Sequence, residues 1–256
     1  MIDEKNVHIQ KPKVINIGLE SFYNDISNFT DAVNISWKPP ASGDTELSRI
    51  VANFSDDRME GSLGNKVHLA NAEALKRLIS ARPVLFDIQQ AGKVIPGMTQ
   101  NTILHSGPPI TWERMCGATK GSVIGALMYE GFASNPEEAA IIASKDIVYA
   151  PCHEYSSVGP MTGIISSSMP VWMVRNETYG NTAYCTMNEG WGRTLRFGAY
   201  DQKVLDRLKW MESVLAPAMK HVISKFGKID LKNIIAQALQ MGDECHNRDI
   251  AATNLF

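Results

Sequence analysis

Cysteine is scarce in this chain. Its 256 residues include four, Cys116, Cys152, Cys185 and Cys245, and no Cys-x-x-Cys pair. That spacing excludes a disulfide scaffold and a zinc ribbon, and reads as reduced, mostly buried thiols. A basic excess is lacking too. Lys and Arg total 25 against 27 Asp and Glu, a formal net charge of −2. A dedicated nucleic-acid binder carries a clear positive balance, so that class is set aside. No apolar run approaches the roughly 18–20 residues of a membrane span. The opening Met-Ile-Asp-Glu-Lys-Asn offers no apolar stretch for a secretory signal. The expectation is a soluble, cytoplasmic protein whose partners are neither membrane nor nucleic acid. Internal repeats and low-complexity tracts are absent as well.

What is present is a good supply of core material. Hydrophobic residues make up 44% of the chain and charged residues 20%, which excludes wholesale disorder. The length allows one large domain or two to three small ones. Val14–Leu19 and Val33–Trp37 read as short buried strands around a helical Glu20–Phe29, a βαβ-like unit without the Gly-x-Gly-x-x-Gly turn of dinucleotide folds. Asp44 caps a short helix, and a helix over Val67–Arg82 stops at Pro83 before a strand at Val84–Ile88. Between 100 and 200, short strand-like runs alternate with Gly/Pro/Ser-rich connectors. Two helices interrupt them. One carries Gly117, Gly121 and Gly125 four residues apart, which leaves one face open to close backbone approach. The other is announced by Asn135-Pro136-Glu137-Glu138. From Asp201 the chain is helical, with a kink expected at Pro217. The fold class is therefore α+β and multi-domain. A small Rossmann-like α/β layer is expected over 1–99, a glycine-rich α+β domain carrying the candidate site over 100–200, and a helical segment over 201–256.

Four segments hold reactive side chains among glycines and prolines. His105-Ser106-Gly107-Pro108-Pro109 leads through Arg114 to Lys120 and Ser122 at a helix start. Backbone N–H groups there suit an anion, though the Gly-x-x-x-x-Gly-Lys-[Ser/Thr] pattern is missing and plain helix capping is the competing explanation. Pro151-Cys152-His153-Glu154 places a histidine and a carboxylate at a strand end, for proton transfer or for a structural hydrogen bond. Asn188-Glu189-Gly190-Trp191-Gly192-Arg193, followed by Arg196, resembles a loop that approaches a ligand. The planar fork of arginine matches carboxylate and phosphate oxygens; a surface Arg–Glu pair is the plainer alternative. Asp243-Glu244-Cys245-His246 offers metal-binding residue types, but neighbours on a helix point in different directions, so no metal site is assigned. The candidates are His105, His153 and Glu154 for catalysis. Arg114, Lys120, Ser122, Asn188, Glu189, Arg193 and Arg196 are the candidates for substrate binding. No cofactor is called for.

The strings LHSGPPITWERMCGATKGSVIGALMYEGFA, PCHEYSSVGPMTGIISSSMPV, NTAYCTMNEGWGRTLRFGAYD and QALQMGDECHNRDIAATNLF together resemble the YahG/YlbE-like family. That family was long a domain of unknown function, and it includes the AllG-type subunit of oxamate carbamoyltransferase. The resemblance runs from about Val14 to the last residue. It departs at Gly117-Ala118-Thr119-Lys120-Gly121, where relatives often have Gly-Pro-Met before the basic residue. It implies a subunit of a hetero-oligomeric carbamoyltransferase of anaerobic allantoin and purine breakdown. Such an assembly converts oxalurate and phosphate to oxamate and carbamoyl phosphate. Motif positions carry over; no catalytic role does. The family continues well past Phe256, so the chain is expected to be an N-terminal portion with its helical end truncated. The alternatives are a non-catalytic anion-binding scaffold or regulatory subunit, and a metal-dependent amidohydrolase using His105 and His153.

Overall fold

The computed structural model describes residues 12–38, 40–187, 189–190, 192–245 and 249–256. The architecture is mixed α/β, in two compact units, Met1–Ile79 and Ser80–Phe256. Among the described residues no helix is long and apolar enough to cross a membrane.

In the first unit, strand β1 (Val14–Ile17) pairs in parallel with β2 (Ala32–Ile35) across helix α1 (Glu20–Ser27). Parallel pairing needs such a crossover, and the βαβ pattern of the sequence supplies it. Asn16 ties the unit together: its amide donates to the Leu19 carbonyl at 3.0 Å and to Asn34 Oδ1 at 2.8 Å. Helix α2 (Thr45–Ser55) is capped by Asp44, whose carboxylate accepts from the Leu47 N–H at 2.8 Å. Helix α3 (Leu63–Ser80) begins after Ser62, whose hydroxyl accepts from the Asn65 N–H at 3.0 Å. The register sets Ile15 opposite Val33 and Ile17 opposite Ile35, so all four lie on one face, and all four are exposed.

The second unit holds two sheets. Strand β3 (Pro83–Gln90) leads through the short helix α4 (Ala91–Val94) to β4 (Thr102–His105). Helices α5 (Gly117–Tyr129) and α6 (Pro136–Lys145) then carry the chain to β5 (Val148–Pro151), parallel to β4. Strands β6 (Ser157–Val158), β7 (Ile164–Ile165), β8 (Pro170–Asn176) and β9 (Thr182–Thr186) follow. Helix α7 (Gln202–Trp210) continues through a π-helical turn at Met211–Leu215 into α8 (Ala216–Phe226). Strand β10 (Ile229–Asp230) and helices α9 (Leu231–Gln240) and α10 (Ile250–Leu255) complete it. The sheet orders are β10-β3-β8-β9-β6 and β5-β4-β7. Strands from all three expected sequence segments thus share the larger sheet.

Alternation along the strands explains the layers. On β4, Ile103 faces α5 and α7 with Val123, Leu127 and Leu208, while Leu104 faces the larger sheet with Val171 and Tyr184. Thr102–His105 is buried throughout, with the apolar pair Ile103 and Leu104 at its centre serving the two cores and the polar Thr102 and His105 at its ends. On β8, Val171 faces β4 and Trp172 faces α8 with Leu85, Met211 and Ile223. The result is a helix–sheet–sheet–helix stack. Helix α5 is buried on more than one side from Gly121 to Tyr129, because the smaller sheet, α6, α7 and the 195–197 turn all pack against it. Asn135 and Asp230 cap α6 and α9 as their sequence positions suggest. Pro217 does not break its helix. It lacks an N–H and would crowd the carbonyl four residues back, and the π-turn just before it relieves both demands.

Candidate functional site

Three glycine-bearing segments close on one another at the start of α5. The Ser122 hydroxyl lies 3.0 Å from the Ala118 carbonyl, 3.1 Å from that of Thr162 and 2.5 Å from that of Leu195, and shares its one proton among them. The Thr162 hydroxyl donates to the Arg196 carbonyl. The glycine face of α5 receives the 195–200 segment: a Cβ at Gly121 would fall on the carbonyl oxygen of Gly198 and 2.8 Å from its Cα. Gly198 itself has φ of 81° and lies as close to Ala118. Close approach, which the four-residue glycine spacing predicts, is what the structure uses here.

Beneath this knot lies a narrow pocket with a cavity volume of about 40 Å³, partly open to solvent. Its walls are mostly apolar, with Ile164, Met169, Met187, Leu195, Leu208 and Met211 on them. Two predicted residues, Glu189 and Arg196, also line it. Arg196 Nε is buried and has no hydrogen-bond partner among the described residues. Its guanidinium carbon sits 4.7 Å from the centroid of the Phe197 ring. Glu189 accepts from the Leu195 N–H at 2.6 Å and the Arg196 N–H at 3.3 Å. Burial pushes its carboxyl above the usual range, against those two N–H groups and the charges of Arg207 and Arg196. Tyr129 also lines the pocket, and its hydroxyl donates to Glu212 at 2.7 Å. Burial first, then Glu212, holds that phenol far above its usual range, so it stays a proton donor. Gln90 donates to the other Glu212 oxygen at 2.8 Å.

The Glu189 shift has a pH signature. Between the ordinary glutamate value and the raised one, the folded state holds more proton than the unfolded, so stability falls as pH rises. Above that window the contribution is level. Unfolding free energies from about pH 4 to about pH 8 are expected to show this decline, and the Glu189→Gln protein is expected to lack it. Parallel profiles for the two would refute the assignment.

The other candidates stand elsewhere. Arg193, three residues from Arg196, is exposed and pairs with Asp201 at 2.7 Å; that hydrogen bond holds the Asp201 carboxyl low. Arg193 thus makes a surface pair, with Asp201 rather than a glutamate as the acid. Lys120 Nζ donates to the Glu113 carbonyl at 3.1 Å and lies 5.5 Å from the Trp112 ring centroid. Arg114 is exposed. Ser122 is wholly buried within the knot. His105 is buried at the end of β4, with Nδ1 3.3 Å from the Ser106 carbonyl oxygen and Nε2 without a partner among the described residues. His153 and Glu154 are exposed on a 3-10 turn just past β5. The register sets His105 opposite Pro151, so both histidines belong to one end of the smaller sheet. Asn188 lies outside the described residues, as do His246, Asn247 and Arg248. The structure therefore brings Glu189 and Arg196 to one pocket, and none of the other described candidates lines it. Among the described residues no three or more His, Cys, Asp or Glu side chains gather as metal ligands.

One sequence expectation changes here. Only Cys152 of the four cysteines is fully buried; Cys116 and Cys245 are exposed and Cys185 is intermediate. Cys116 precedes the first turn of α5, where the Thr119 hydroxyl at 3.3 Å lowers its thiol pKa. Sequence reasoning also missed Tyr129, Glu212 and Gln90. Their one signal was a tyrosine and an acid (Tyr129-Glu130) closing an apolar helix.

Comparison with known proteins adds the family. Residues 147–256 match a family described as oxamate carbamoyltransferase subunit AllG. The uncharacterized protein YahG of Escherichia coli (strain K12) is 46% identical over 249 residues, covering 96% of this chain and 52% of that protein. The chain matches the AllG/YahG family. The oxamate carbamoyltransferase subunit AllG of the same organism is 43% identical over 190 residues, 73% of this chain and 45% of that one. A crystal structure of a conserved protein of unknown function from Enterococcus faecalis V583 superposes with a TM-score of 0.73 at 47% identity, covering 76% of this chain and 47% of that one. The chain thus spans about half the length of the AllG/YahG relatives it matches.

Proposed function

We propose that the chain acts in a carbamoyltransferase complex, as a subunit that binds the small anions of the reaction. The observation that carries this reading is Arg196, a half-buried guanidinium at the wall of a pocket, its Nε without a hydrogen-bond partner among the described residues. A donor left without a partner is costly, and an anionic ligand would lower that cost. The likeness to AllG supplies the reaction. A phosphate oxygen bonds to the carbamoyl carbon of oxalurate, the bond from that carbon to the oxamate nitrogen breaks, and this nitrogen takes a proton. Arg196 and Glu189 are assigned to substrate, and His105 and His153, with Glu154, to proton transfer. Arg114, Lys120, Ser122, Asn188 and Arg193 complete the binding set of this reading. The setting is anaerobic allantoin and purine breakdown in the cytoplasm.

Partner subunits belong to the same proposal. The exposed face of Ile15, Ile17, Val33 and Ile35 supports them, because parallel sheets are ordinarily covered on both faces. The parallel β1–α1–β2 unit likewise supports a Rossmann-like N-terminal layer, with the site carried by residues 100–200 and a helical part after them.

The test is co-expression with the partner subunits and an assay for carbamoyl phosphate formed from oxalurate. Arg196→Gln is expected to lower turnover at least about tenfold while the complex still assembles, the loss of one charge-assisted contact. Wild-type turnover in that variant would remove Arg196 from the site. A second reading, a non-catalytic anion-binding scaffold, is favoured by the separation of Lys120, Arg114 and Arg193 from the pocket. It expects turnover to persist in partner subunits assembled without this chain.

A further inference from the structure

Gln89 and Gln90 at the end of β3, Lys93 on α4, Glu212 on the π-turn and Lys220 on α8 line a cleft of about 240 Å³ that opens to solvent. None of the five belongs to the residues assigned above to the carbamoyl reaction. The two glutamines are held alike. The amide nitrogen of Gln89 donates to Asp87 at 2.9 Å, and that of Gln90 to Glu212 at 2.8 Å. With its nitrogen turned to an acid, each amide keeps its carbonyl oxygen as an acceptor for another group. Glu212 accepts a second bond from Tyr129 at 2.7 Å and has lone pairs for a third. Lys220 Nζ lies 3.6 Å from Asp87 Oδ1 and is half exposed. Lys93 is exposed and makes neither an ion pair nor a hydrogen bond among the described residues.

The charges here balance, Lys93 and Lys220 against Glu212 and the Asp87 that holds Gln89. A simple anion meets Glu212 as well as the lysines, and a simple cation meets the lysines as well as Glu212. A ligand carrying both charges can set each against its opposite. Three acceptors, the two glutamine oxygens and Glu212, match the three N–H groups of an ammonium, and the lysines match a carboxylate. We propose that this cleft binds a small α-amino acid, its ammonium on Gln89, Gln90 and Glu212 and its carboxylate on Lys93 and Lys220. Pro170 and Ala216 complete the wall and suit a short aliphatic side chain. The π-turn fits this use, since such turns recur at functional sites and this one supplies Glu212. Glu212 also holds Tyr129 of the neighbouring pocket, so an occupant of the cleft shares a carboxylate with that pocket's wall.

The experiment is a calorimetric titration of the purified full chain with L-alanine, beside propanoate, which lacks the ammonium, and ethylamine, which lacks the carboxylate. Alanine is expected to bind at least about tenfold more tightly than propanoate, because its ammonium meets a charged acceptor. Its advantage over ethylamine is expected to be smaller, about threefold to fivefold, because the lysines stand in solvent. Lys93→Gln is expected to narrow the gap to ethylamine and leave the gap to propanoate. Glu212→Gln is expected to do the reverse. Arg196→Gln, outside the cleft, is expected to change neither. Lys93 is exposed, so its variant keeps the comparison valid even where Glu212→Gln does not fold. Equal affinity for the three compounds, no binding of alanine, or a loss in Arg196→Gln with none in Lys93→Gln overturns the proposal.

Discussion

Gly121→Ala is expected to destabilise the fold by about 2–3 kcal/mol, measured as a shift in the denaturant midpoint. Alanine has the better helix propensity, and at an exposed site the change would stabilise by about 1 kcal/mol. Here the new methyl would meet backbone. The Gly198 carbonyl oxygen occupies its place, and Gly198 Cα lies 2.8 Å away. Neither can rotate aside. Gly198 is itself pinned by its positive φ and by Ala118. The neighbouring Gly125→Ala provides the internal control. Its nearest obstacle is Leu195 Cδ1, the mobile end of a side chain, although Tyr200 Cβ follows at 2.8 Å. Its cost is expected to be smaller by about 1 kcal/mol or more, since a side chain can give way where a carbonyl cannot. Equal stability of Gly121→Ala and the wild type would show that the 195–200 segment moves freely, and would undo the account of how Arg196 is placed.

Glu212→Ala is expected to cost about 3 kcal/mol, because it strands the buried Tyr129 hydroxyl and the half-buried Gln90 amide at once. Tyr129 and Gln90 each donate to a Glu212 oxygen, at 2.7 and 2.8 Å. Hydrogen bonds to a charged acceptor are worth about 1.5–3 kcal/mol apiece. Tyr129 has a poor substitute in the Ser168 carbonyl at 3.4 Å, which keeps the sum below its ceiling. Glu212→Gln retains one acceptor oxygen and is expected to cost less than half as much. In a double-mutant cycle, Glu212→Ala and Tyr129→Phe should couple by about 1–2 kcal/mol, since the phenylalanine has no donor left to strand. Additive effects would mean that the tyrosine finds its partner elsewhere.

Much of this fold is legible in local chemistry. The strands at VINI, at VLFDI and at TILH, and the caps at Asp44, Asn135 and Asp230, are where apolar runs and capping residues place them. The glycine spacing of α5 announces a close approach but not its partner, which is 77 residues away. The two-residue strands β6, β7 and β10 carry no period at all, and only pairing with β9, β4 and β3 defines them. The site was legible as a set of loops and not as a pocket. Arg193 and Arg196 share one loop and one residue type, yet one meets Asp201 in solvent and the other turns inward. Nothing local separates them; the difference is made by Ser122 and Thr162 holding the turn from outside it. The methionine walls were equally invisible, because three distant elements assemble them.

The π-turn at Met211–Leu215 bears on where the chain tolerates insertions and deletions. One continuous helix serves two cores, with Val204, Leu205 and Leu208 facing β4 and α5, and Met211, Ala216 and Ile223 facing the larger sheet. The wide turn sets the angle between those faces. Removing one residue there would rotate everything beyond it by about 100°. Ala216 and Ile223 would leave the sheet, and Glu212 would leave Tyr129. Length is therefore a constrained variable in this stretch, in the way that side-chain size is constrained at Gly121. The exposed turn between β8 and β9 has no such bookkeeping, and a residue gained or lost there disturbs neither core.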